Sequence, residues 1–121
     1  MHLRLLHLPA LALLAALAAC AAPQGAGQAV APGCVSGPLP VLNASSQPVE
    51  QLYAGAPGAW GTDLLAGGLL EPRAVLNMPR PRPAIFTLRA VWADGRAAEL
   101  PDLNACQLGG VEIADNGIRA Q

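Results

Sequence analysis

The stretch Ala84-Ile-Phe-Thr-Leu-Arg-Ala-Val-Trp92, followed by Ala93-Asp94-Gly95, decides the fold. Its apolar residues alternate. Phe86, Leu88, Ala90 and Trp92 share one face, and Ile85, Thr87, Arg89 and Val91 share the other. Period two over nine residues is the pattern of a half-buried strand. Asp94-Gly95 between strand-like runs predicts a hairpin. A two-residue type I′ turn needs positive φ at both positions, which suits this pair. Arg96 to Leu100 then returns beside the first strand.

The same punctuation continues in both directions. Pro38 to Asn43 reads as a strand near an edge, where proline is tolerated. Val49 to Ala54, Ala74 to Met78 and Gly110 to Ala114 read as further strands, separated by clusters such as Ala44-Ser-Ser-Gln-Pro48 and Gly55-Ala-Pro-Gly58. Thr62 or Asp63 caps a short helical turn that Gly67-Gly68 ends. No segment after residue 20 carries a longer helical stripe. The expected fold is all-β: a small antiparallel β-sandwich, Ig-like or half-barrel, with six or seven short strands over residues 34–118. Trp92 belongs to its core.

Charge and composition narrow the chemistry. From Cys20 onward there are six arginines against eight acids, a net charge of −2, with no lysine and no histidine. A histidine triad, a His-ligated metal site or a Schiff-base lysine therefore cannot be built there. A nearly neutral domain without a basic cluster does not suit nucleic acid. No cofactor or metal set can be read from the spacing. Asp94, Asp102 and Asp115 fall in turns, spaced unlike a calcium loop.

The first nineteen residues have a different character. Arg4 and the amino terminus precede an apolar run from Leu5 to Leu17. It falls short of the ~20 residues a bilayer span needs and suits an export signal. A membrane anchor and a buried helix are the other readings. The run ends Leu17-Ala18-Ala19-Cys20, which resembles a bacterial lipoprotein lipobox. That resemblance implies cleavage before Cys20 and a diacylglycerol thioether on its sulfur. Ordinary cleavage among the neighbouring alanines is the alternative. Ala21 rather than Asp follows the cysteine, which implies the outer membrane, on its periplasmic face. Ala21 to Gly33 is an uncharged Ala/Pro/Gly segment without periodicity, read as a tether of residues 20–33 reaching roughly 20 Å.

If Cys20 carries lipid, two cysteines remain for an oxidising compartment, Cys34 and Cys106. Either they form a disulfide closing nearly the whole domain, or both are buried thiols.

Further motifs add a second likeness. Leu42-Asn43, then Val49-x-x-Leu52-Tyr53, then Trp60-Gly-Thr-Asp-Leu-Leu65, a Leu-Arg-x-Val strand into Asp94-Gly95, and Asp102-Leu103-x-x-Cys106 resemble a group of small exported bacterial β-sandwich proteins of unknown function. The likeness spans Val41 to Val111. It implies the fold and an exported location but no activity. Members of the group often have a cysteine where Ala84 stands here, which leaves Cys34 as the partner implied for Cys106.

Two features are candidate sites. Tyr53, Trp60 and Asp63 combine aromatic faces with a carboxylate, a set that suits a sugar or small ligand. Equally, Trp60 covers one end of the sandwich and Asp63 caps a turn. Pro79-Arg80-Pro81-Arg82-Pro83 is extended and cannot donate evenly to a ladder. Arg80 and Arg82 there suit a partner or an anionic surface, or else keep a sheet edge soluble. The expected function is a lipid-anchored envelope protein with a structural or interaction role and no catalysis. Its expected partners are the membrane through Cys20 and another envelope protein or glycan. The alternative is a small-ligand or glycan binding module.

Overall fold

The computed structural model describes residues 33–121. The expected export signal, the lipidated Cys20 and all of the tether before Gly33 lie outside the described residues. Seven strands follow one another: β1 (Leu39–Asn43), β2 (Val49–Gly55), β3 (Val75–Met78), β4 (Ile85–Trp92), β5 (Ala97–Asn104), β6 (Val111–Ala114) and β7 (Gly117–Ala120). They form two packed sheets, ordered β3-β1-β6-β7 and β2-β4-β5. This is the expected all-β sandwich. One pair departs from the antiparallel rule, because β1 runs parallel to β6. No helix occurs among the described residues. Leu64 to Gly67 is a plain turn at the place where the sequence predicts a helical one. The last strand, β7, carries the sandwich to Ala120.

The core lies between the two inner faces. Leu39 and Val41 of β1 and Ile113 of β6 meet Leu52 of β2 and Leu88, Ala90 and Trp92 of β4. Each large side chain buried this way contributes ~1.5–3 kcal/mol. β4 keeps strict alternation throughout, as its sequence predicts. Its two neighbours do not. In β2, Val49 pairs with Trp92 and Gln51 with Val91, so Glu50 is an extra residue. In β5, Leu100 pairs with Leu88 and Leu103 with Phe86, with Pro101 and Asp102 bulged between them. Asp102 adopts a φ of 57° there. The bulge restores Leu103 to the core face. It also carries the strand four residues past Leu100.

The central hairpin differs from the predicted type I′ turn. Only Gly95 has positive φ, at 89°. Gly95 N donates to Trp92 O, and Trp92 N donates to Arg96 O. The loop is therefore three residues, Ala93 to Gly95, with glycine in the left-handed position. The Asp94 carboxylate accepts from Arg96 N at 3.0 Å and Arg96 Nε at 2.8 Å. Those bonds favour the longer loop, and the extra residue shifts the strand register by one.

Cys34 and Cys106 form a disulfide across 72 residues. Val35 N donates to Cys106 O beside it. On the chain-entropy model a loop of that length contributes roughly 4 kcal/mol. That is a large share for a core this small.

Candidate functional site

The outer face of β2-β4-β5 carries a mixed set of half-buried and exposed side chains. Registers place Tyr53 of β2 opposite Arg89 of β4, and Arg89 opposite Glu99 of β5. Arg89 Nη1 lies 2.8 Å from Glu99 Oε1. Trp60 arrives from the loop after β2, and the Arg89 guanidinium carbon sits 5.9 Å from its ring centroid. An arginine within ~6 Å of an indole face is a cation–π pair.

Gly55 makes this arrangement possible. A Cβ there would lie 2.7 Å from Ala59 O and 3.2 Å from Trp60 Cα. The loop backbone therefore lies directly on the sheet, which only glycine permits. Thr87, paired with Gly55, points outward yet is only 8% exposed. Trp60 and Tyr53 remain half-buried. Neither the indole N–H nor the phenol bonds to a described residue. Among the described residues no buried side-chain polar atom lacks a partner.

Asp63 has a different task. Its Oδ1 accepts from Leu52 N and Leu65 N, both at 3.0 Å. Leu64 N donates to Leu52 O, and Leu70 exchanges both backbone bonds with Val49. The segment from Asp63 to Leu70 thus covers the open edge of β2, and the carboxylate stands in for a strand carbonyl. The structure brings Tyr53 and Trp60 to one sheet face and turns Asp63 to its edge. Arg89 and Glu99 are the additions that sequence reasoning missed. The signal was present. Counting outward from a three-residue loop pairs Arg89 with Glu99, whereas a two-residue turn pairs Arg89 with Leu100.

The other tryptophan sits at the far end of β4, inside a closed polar network. Trp92 is 2% exposed, and its Nε1 donates to Ser45 Oγ at 2.9 Å. Asn43, fully buried, donates to Gln47 O and Leu70 O and accepts from Ser45 N. Arg96 lies 4.8 Å from the Trp92 ring centroid and donates to Asp115 O. Asp115 in turn accepts from Ser46 N and Ser46 Oγ, each at 2.7 Å. The bond from Ser46 N is the main cause that lowers the Asp115 carboxyl below the ordinary 3.8. The Arg96 guanidinium, bonded to Asp94, does the same for that carboxyl. A cleft of about 360 Å³ opens beside this network, between β5 and β7, lined by Trp92, Arg96, Ala98, Asp115 and Gly117. Arg96 and Asp115 on its lining already bond to each other, while Asn116, also on the lining, forms no side-chain hydrogen bond among the described residues.

Arg80 and Arg82 separate as well. The Arg80 guanidinium donates to the carbonyls of Gly37, Ala105 and Leu108. It ties the proline-rich segment to the disulfide end of the sandwich. Arg82 is exposed and forms no ion pair among the described residues. Among the described residues no three His, Cys, Asp or Glu side chains meet as a metal set.

No protein-family model matches the chain. No curated protein and no solved structure matches it either.

Proposed function

We propose that this chain is a lipid-anchored protein of the cell envelope, on the periplasmic face of the outer membrane, that acts by contact rather than catalysis. The observation that carries this reading is the Cys34–Cys106 disulfide. It consumes the two cysteines left over once Cys20 of the lipobox-like Leu17-Ala18-Ala19-Cys20 is assigned to lipid. A bond of that kind fits an oxidising compartment. The likeness of Val41–Val111 to small exported β-sandwich proteins supports the same location. The lack of histidine and lysine after Cys20 supports a role without catalysis. Intact mass of the protein from cells should show acyl groups on a chain beginning at Cys20, and Cys20→Ala should move it to the soluble fraction. Unchanged membrane partition of that variant would refute the anchor.

One observation favours a second reading. The half-buried indole of Trp60, beside Tyr53 and the Arg89–Glu99 pair, has the makings of a glycan platform: an apolar face ringed by donors and acceptors. Soluble N-acetylglucosamine oligomers are the probe. A saturable change in tryptophan fluorescence that disappears in Trp60→Ala supports the platform. A flat titration at millimolar sugar removes it.

A further inference from the structure

The chain reaches the sandwich at one end, and that end differs in charge from the other. Strand directions place Cys34, the start of β1, the Pro79–Pro83 segment, the start of β4 and the 105–109 turn together. None of the eight acidic side chains lies in these segments, while Arg80 and Arg82 both do. Two large apolar side chains are exposed in the same segments, Val35 at 41% and Ile85 at 55%. The opposite end carries Glu71, Asp94 and Asp115 beside Arg73 and Arg96, with Leu69 and Val75 exposed at 54% and 51%, so charge rather than apolar exposure distinguishes the two ends.

We propose that the end receiving the chain is a membrane-facing surface that rests on anionic phospholipid headgroups, with Arg82 against phosphates and Val35 and Ile85 in the interfacial layer. The proposal rests on the lipid-anchor reading and gives it an orientation. Three arguments select a lipid surface as the occupant. The first is charge complementarity, since basic residues near an anionic leaflet are attracted within a Debye length. The second is length. Twelve residues, 21–32, separate Cys20 from Gly33. The eight residues of β4 span about 26 Å before the far end begins. An anchor at Cys20 therefore holds the basic end near the headgroups. The third is that the Arg80 clamp holds the segment bearing Arg82 onto that end. The Asp94–Gly95 end then faces away from the membrane, toward other envelope components.

The test uses the full acylated chain reconstituted in vesicles containing brominated lipid, either phosphatidylcholine alone or with phosphatidylglycerol. Ile85→Trp and Ala93→Trp each report against the wild-type chain, whose own tryptophans set the baseline. Both positions are exposed, and an intact disulfide with unchanged circular dichroism certifies the fold. Quenching at residue 85 and not at residue 93, stronger with phosphatidylglycerol, is the expected result. Adding Arg82→Ala to Ile85→Trp should lower the docked-to-free ratio about fivefold in phosphatidylglycerol vesicles. It should change nothing in phosphatidylcholine. Acylated protein that floats with vesicles yet shows no quenching at residue 85, or equal quenching at both residues, overturns the orientation and leaves the anchor standing. Protein without acyl mass overturns both.

Discussion

The two tryptophans each lie against an arginine, and they do opposite things. Trp92 sits on the inner face of β4, with its N–H on Ser45 and its far side under Arg96. Trp60 lies on the outer face of the same sheet, under Arg89, with its N–H bonded to no described residue. A ring beside a guanidinium is thus not in itself a functional mark. What separates the two is the fate of the polar tip. A buried indole must bond its N–H inside the protein, and that bond ties Trp92 to the turn after β1. A half-buried indole whose N–H bonds to no described residue keeps a donor and a face for something outside. The first arrangement holds one end of the sandwich together; the second is placed by the loop that lies on Gly55.

Removing the buried ring should have the largest effect. Trp92→Ala should cost about 4 kcal/mol, as cavity and lost hydrogen bond combine. Denaturant midpoints measure it. A loss below that of Trp60→Ala would erase the distinction. Asn43→Ala comes next, at about 3 kcal/mol, because Ser45 N loses its acceptor and Gln47 O and Leu70 O each lose one of two donors at a buried point. Its melting temperature should fall well below that of any outer-face variant. Gly55→Ala sharpens the other side. The added Cβ meets Ala59 O at 2.7 Å, so the loop must lift. A cost of about 2 kcal/mol is expected, with a change in Trp60 fluorescence and none in the disulfide. Trp60→Ala itself should cost less than about 1 kcal/mol, consistent with a surface residue.

The smallest effect is a dependence on pH. Both Asp94 and Asp115 are held below 3.8 in the folded state. A carboxyl depressed by folding adds stability above its unfolded value. That stability is lost as pH falls through 3.8 toward the folded value. Melting temperature should therefore drop in that acid window, and Asp115→Asn should flatten the drop. An unchanged slope in that variant would detach Asp115 from the network around Trp92.

Much of the fold was legible because period-two patterning reports directly on which side of a strand is buried. β4, β1 and β6 show it almost unbroken. β2 and β5 were read only in part, since each contains an extra residue that swaps faces within the strand. The Val49-x-x-Leu52 spacing and the Leu100-Pro101-Asp102-Leu103 spacing make sense only once a partner strand shows where the bulge falls. β7 was missed, being four residues long with a single buried side chain, Ile118. Of the candidate site, the sequence pointed to Tyr53 and Trp60 as chemical types. It offered no means of knowing that Asp63 would serve a strand edge. Nor could it foresee that Arg89 and Glu99 would meet beside the indole, because their meeting depends on a one-residue difference in loop length.

Local pattern alone determined the all-β class, the punctuation between strands and the core assignment of Trp92; it left Cys34 and Cys106 as either a disulfide or two thiols. Tertiary structure decided the parallel contact of β1 with β6, the three-residue hairpin, the Cys34–Cys106 bond and the partner of the buried indole N–H. The physical reason is range. Alternation and turn chemistry act over a few residues and are written along the chain. Register, bulges and the partner of each polar tip are set by segments tens of residues apart, and they exist only when the two sheets have closed on one another.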